Sequence, residues 1–171
     1  MDLNKLSTGD KVVAGSGIAL FIASFLTWFE LELNLGAFGG VQSYTETGWD
    51  YFFTGTLPAL IGLVLVGYVV VTKLVENVSL PELPVGYPLV VLGLAGLAAL
   101  LVVLRLLIGG DDAGTDALDR AYGLFIATLA AIGLAAGAFL KFQEDGGEFP
   151  TKGGTTGTNT GTGTGQPPTP F

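Results

Sequence analysis

Residues 1–145 predict an all-α membrane protein: a four-transmembrane-helix bundle with a small extracellular β-hairpin between helices 1 and 2. Two features of composition and one of charge placement carry this reading. Half of the 171 residues are hydrophobic and only 13% are charged, whereas a soluble domain carries about 25% charged residues. The apolar residues fall in four long runs, without the periodicity of amphipathic elements, and mean hydropathy is +0.62. The cationic residues bounding those runs lie almost all on one side of them.

The first run, "VVAGSGIALFIASFLTWF", covers residues 12–29. At 1.5 Å per residue it reaches about 27 Å, close to the roughly 30 Å of a hydrocarbon core. Lys5 and Lys11 precede it, as in a signal peptide, but it is long for such a segment and no small-x-small site follows Trp28, so a retained span is expected. The second run covers residues 51–72, with Pro58 near its start, where a missing N–H breaks no helical bond. The third, residues 86–108, ends in "RLLI". The fourth span is placed at 116–142, with Thr115 as N-cap and Asp116 and Asp119 in a first helical turn that suits negative charge.

Orientation follows from Lys5, Lys11, Lys73, Lys141 and Lys152, which share one side, against Arg105 and Arg120 on the other. The positive-inside bias puts both termini in the cytoplasm of a multi-pass cell-membrane protein. Trp28 and Trp49 then fall together at the outer interface, as anchors of an aromatic belt. Rows of small residues, Gly15, Ala19, Ala23 and Ala127, Ala131, Ala135 with Gly133 and Gly137, suit close helix packing. The same rows would serve an oligomer interface, though packing within one bundle is the simpler expectation.

Between the first two runs, Phe29, Leu31, Leu33 and Leu35 alternate with Glu30, Glu32 and Asn34, the period of a half-buried strand. "GAFGG" supplies a turn and "VQSYT" a return strand. The hairpin is expected to lie over the bundle, with Glu30 and Glu32 facing water. The inner loop, with three prolines in "KLVENVSLPELPVGYP", reads as a rigid connector. Residues 146–171 form a Gly/Thr/Pro-rich cytoplasmic tail, expected to be disordered because it has almost no apolar side chains to offset its ordering entropy.

Chemistry is mostly excluded. The chain has no cysteine and no histidine, which removes disulfides, thiol nucleophiles, histidine-ligated haem or zinc, and a histidine base. No aspartate or glutamate falls within the apolar runs at 12–29, 51–72, 86–108 and 121–142, whose interior polarity is slight, as at Ser16, Ser24, Thr27 and Thr128, and no base stands beside the serines. No catalytic residue, cofactor site or metal site is therefore expected. A net charge of −8 disfavours nucleic acid.

Arg105 is the one conspicuous residue. It lies three residues from the end of its run, about 4.5 Å in helical rise, so its side chain can snorkel to the headgroups. A sharper reading pairs it with Asp116 or Asp119 across the short loop, fixing register or closing an outer mouth. A third reading gathers Asp111, Asp112, Asp116 and Asp119 around calcium, although their spacing fits no EF-hand. Arg120 can meet Asp116 along one helix as surface decoration.

"DKVVAGSGIALFIASFLTWF", "RLL" before an acidic Gly-rich loop, and "DRAYGLFIATLAAIGLAAGAFLKFQE" together resemble the small four-span integral membrane proteins of actinobacteria. The resemblance spans residues 1–145 and implies a topology without catalytic residues. In architecture alone the chain is similar to claudin-like tetraspan proteins; the two cysteines of their first outer loop are missing here. The expected function is non-enzymatic: an accessory or scaffold component of the cell envelope, embedded in the lipid bilayer. It would meet other membrane or envelope proteins through loop 30–50 and the tail. The alternative is a small oligomeric transporter or channel with Arg105 at its outer mouth.

Overall fold

A computed structural model of the chain describes residues 6–34, 36, 39–74, 86–109 and 119–147. It is mostly helical, with a small three-stranded antiparallel sheet. In chain order the elements are α1 (Thr8–Ala23), β1 (Thr27–Asn34), β2 (Val41–Thr47), α2 (Leu57–Leu74), α3 (Tyr87–Ile108), β3 (Asp119–Arg120) and α4 (Tyr122–Glu144). A 3-10 turn, Gly48–Asp50, and a π turn, Phe52–Thr56, join β2 to α2. Among the described residues, three helical segments are long and apolar enough to cross a membrane: Phe52–Lys73, Tyr87–Ile108 and Tyr122–Glu144. The expected inner loop, the acidic residues Asp111, Asp112 and Asp116, and the tail lie outside the described residues.

The first apolar run does not form one helix. α1 has 16 residues, about 24 Å, and stops at Ala23, so Thr27, Trp28 and Phe29 belong to β1. The helix also starts earlier than its apolar run. Ser7 is the N-cap: its hydroxyl accepts from the Asp10 N–H at 3.1 Å, and the Asp10 carboxylate accepts from the Ser7 N–H at 3.2 Å. This reciprocal box fixes the start of the helix and draws Asp10 inside it.

Among the described residues four helices pack in the cyclic order α1, α2, α3, α4, with α1 against α4 the most extensive contact. That seam is antiparallel and permits little bulk. A Cβ on Gly137 would come within 2.8 Å of the Val13 backbone nitrogen, and one on Gly133 within 2.6 Å of the Ser16 hydroxyl. The Gly133–Gly137 row thus does face a neighbouring helix, with Ala127 and Ala131 also buried. The row expected on α1 does not: Gly15 and Ala19 are exposed, and only Ala23 is buried. Gly9, Val13, Gly17, Leu20 and Ala23 form the packed face instead, and Gly17 lets α1 approach Gly62 of α2. Leu20, Leu65, Val69, Val102, Leu124 and Leu134 fill the centre.

Ser24 and Thr128, both buried, donate to carbonyls of their own helices, Phe21 at 2.6 Å and Leu124 at 2.8 Å. Those bonds satisfy the hydroxyls locally and leave no demand for a ligand.

Candidate functional site

The site grows from the root of the hairpin. β1 pairs with β2 from Thr27↔Thr47 to Asn34↔Val41, and the register shifts between Thr27 and Phe29. Trp28 is the extra residue of that bulge, which lets two consecutive side chains, Trp28 and Phe29, turn into the interior. The Trp28 indole N–H donates to the Ala23 carbonyl at 2.8 Å, a second donor to that carbonyl at the end of α1 beside the Leu26 N–H at 3.2 Å. Trp28 is fully buried, so it does not serve as an interfacial anchor. The headgroup position inferred from its place in the sequence is taken from it by the bulge. Trp49 is 39% exposed and clusters with Phe21 and Phe25, ring centroids 6.4 and 5.3 Å away.

Backbone bonds hold the root on both sides. The Gly48 N–H donates to the Ser24 carbonyl at 3.0 Å, and the Ala121 N–H to the Trp28 carbonyl at 2.8 Å. β3 adds to the other edge of β1 through Phe29↔Arg120 and Glu30↔Asp119. Asp119 and Arg120 are therefore not helical, and α4 begins at Tyr122. Pairing with β1 outweighs the local preference of acidic residues for a first helical turn. Arg120 reaches the end of α3, donating from Nε to the Leu106 carbonyl at 2.9 Å and from Nη2 to the Leu107 carbonyl at 3.5 Å. It caps that helix rather than decorating its own.

Arg105 stands in the last turn of α3 beneath this root and is 4% exposed. Its guanidinium carbon lies 3.3 Å from the centroid of the Tyr51 ring and 5.3 Å from that of Phe29. The two rings meet edge to face at 5.5 Å, and the Tyr51 hydroxyl donates to the Glu46 carboxylate on β2. α3, β1 and the turn before α2 thus converge on one planar cation, and β2 holds the Tyr51 ring through Glu46. A desolvated cation–π contact contributes about 2 kcal/mol or more, and the positive charge suits a helix C-terminus. Arg105 does not extend outward as snorkelling requires, because the Tyr51 and Phe29 rings lie over it. Of its two expected partners, Asp119 is exposed in β3 and Asp116 lies outside the described residues. An open cleft of ≈ 250 Å³ adjoins Arg105, lined also by Asp50, Tyr51, Phe52, Phe53 and Thr54.

A second polar centre sits at the opposite end of the bundle, and the sequence reading did not find it. Asp10 is 0% exposed, and the Lys141 ammonium lies 2.6 Å from its Oδ1. Lys73 approaches Oδ2 at 3.6 Å, and Asp145 approaches Lys141 at 3.1 Å. Glu144 accepts from the Ser7 hydroxyl at 2.5 Å and from the Gly9 N–H at 3.1 Å. The N-terminal turn of α1 is thereby clasped to the last turns of α4 and α2. One local signal was available: Ser7-x-x-Asp10 before an apolar run is a capping-box pattern, which places Asp10 inside a helix.

Among the described residues no group of three or more acidic side chains is arranged to hold a metal ion. No family model, curated protein or solved structure matches the chain.

Proposed function

We propose that the chain is a non-enzymatic integral membrane protein of the cell envelope, a four-span anchor that presents its hairpin outside the cell for recognition by other envelope proteins. Three helical segments with the length and apolarity of membrane spans support the anchor. α1, shorter but apolar between Lys11 and Ala23, completes it. Large apolar side chains such as Ile22, Val64, Leu100, Leu129 and Ile132 are exposed on all four helices, as a lipid-facing surface requires. Lys11, Lys73 and Lys141 at one end, with Phe25, Trp49, Phe52 and Phe53 at the other, favour cytoplasmic termini.

One observation carries the recognition reading. The hairpin root is locked by interior side chains, whereas Val41–Thr45 is exposed on both faces of the sheet. That exposure supports a hairpin that projects beyond the bundle in preference to one lying over it. An interior committed to holding such a projection rigid supports a binding element in preference to a conduit. The apolar packing of Leu20, Leu65, Val102 and Leu134 supports the same choice.

Because the chain has no native cysteine, Thr45→Cys provides a clean topology probe. A membrane-impermeant maleimide should label it on intact cells, and a photo-crosslinker at Tyr44 should capture envelope proteins in native membranes. Labelling only after lysis, or crosslinks only to lipid and to other copies of the chain, would refute the proposal.

A further inference from the structure

We propose that the free edge of β2 takes up an extended, cation-bearing segment of a partner protein as a fourth strand of the sheet. This inference rests on the outward-facing hairpin proposed above. The sheet order is β2-β1-β3, so β2 is an edge strand among the described residues. Soluble proteins blunt such edges with lysine, proline, a bulge or very short strands. Here the edge strand has seven residues, VQSYTET, with no lysine and no proline. The only register shift in the β1–β2 pair falls between Thr27 and Phe29 on β1, at the buried root. Val41 and Tyr44 are 64% and 58% exposed. The backbone donors and acceptors along this edge are thus offered to another strand, the arrangement used in recognition by strand addition.

Charge selects the occupant. Residues 27–50 contain Glu30, Glu32, Glu46 and Asp50 and no cation. Glu30 and Glu32 share a face of β1, and Asp119 stands directly across from Glu30 in the sheet. Like charges in opposed positions destabilise a strand pair, and both residues are exposed. Arg120 offers that face no compensation, because it sits opposite Phe29 and its guanidinium reaches the α3 carbonyls. A second copy of the chain would bring the same carboxylates against each other. An extended segment bearing lysine or arginine at alternate positions would instead bring cations onto the face that Glu30 and Glu32 share, two strand spacings or about 10 Å from them, while extending the ladder. Specificity would come from the charges and affinity from the backbone bonds.

The test uses the full chain in phosphatidylcholine nanodiscs, a zwitterionic surface that does not itself collect basic peptides. The probes are fluorescent ten-residue peptides: alternating Lys-Val, its Glu-Val counterpart, and the Lys-Val peptide N-methylated throughout. The Lys-Val peptide should bind; Glu-Val and the N-methylated form should not. Glu30→Gln with Glu32→Gln, both exposed, should weaken binding about three- to tenfold, and added salt should do likewise. Equal binding of the N-methylated peptide would overturn strand addition, and equal binding of Glu-Val would overturn charge selection. Efficient disulfide formation between copies of Ser43→Cys would make a second copy the occupant and also overturn the proposal. If no peptide binds while the Tyr44 crosslinker still captures envelope proteins, this inference falls and the recognition reading stands. Failure of both removes both.

Discussion

The clasp at the terminal end of the bundle gives the sharpest quantitative test. Lys141→Met removes the cation from a pair whose members are 0–2% exposed and 2.6 Å apart. Stranding one partner of a buried pair costs about 3–5 kcal/mol. Lys73 remains 3.6 Å from the stranded carboxylate, and its side chain is 32% exposed and able to follow. The lower end of the range therefore applies, about 3 kcal/mol, or on the order of a hundredfold in the folding equilibrium. Asp10→Asn keeps an acceptor for the Ser7 N–H and leaves Lys141 with Asp145 at 3.1 Å. It should cost about the same by the same reasoning. The double variant replaces both charges and should recover to within about 1 kcal/mol of the parent. The two sites would then show a coupling energy of about 5 kcal/mol, the two single costs less what the double variant still loses.

Denaturant titration in mixed micelles, read by the fluorescence of buried Trp28, measures all four corners of this cycle. A Lys141→Met variant within about 0.5 kcal/mol of the parent would show that the pair does not hold the fold. A double variant that loses as much as both single changes together would show that the two residues act independently.

Three further outcomes follow from the packing. Gly137→Leu forces a side chain into the α1 backbone at Val13 and should destabilise by about 1–3 kcal/mol or more, whereas Gly15→Leu, with nothing within 4 Å, should be close to neutral; melting of the two purified variants checks this. Arg105→Lys retains the charge but not the plane that lies against Tyr51 at 3.3 Å, so amide exchange in residues 27–34 and 41–47 should quicken while that of α4 stays as it was. Trp28→Phe keeps the ring burial but removes the 2.8 Å bond to the Ala23 carbonyl. It should cost about 0.5–1.5 kcal/mol, the net worth of one hydrogen bond, because the Ala23 carbonyl still accepts from the Leu26 N–H at 3.2 Å; the same titration with Trp49 as the fluorophore measures it.

How far the sequence discloses this molecule depends on how local each cause is. The apolar runs announce helices because the demand made by lipid is one-dimensional: length and apolarity suffice. The hairpin is legible for a similar reason, since the alternation of Phe29, Leu31 and Leu33 with Glu30 and Glu32 lies within a single strand. Where helix gives way to strand at Ala23 is not legible. Thr27, Trp28 and Phe29 are as apolar as the run before them, and only pairing with Thr47 and Arg120 makes them strand residues. β3 has two residues and no pattern of its own, yet it decides whether Asp119 and Arg120 join α4 or the sheet. The two polar centres are harder still. The Asp10–Lys141 pair spans 131 positions, and neither residue is unusual beside its neighbours. Arg105 at the end of an apolar run has the same local signature whether it reaches water or lies against aromatic rings. What distinguishes the two states is a cover built from the rings of residues 29 and 51, distant in sequence from the cation they lie against. The sequence position of a charge thus gives the height at which it must be neutralised, and the fold alone gives the group that does it.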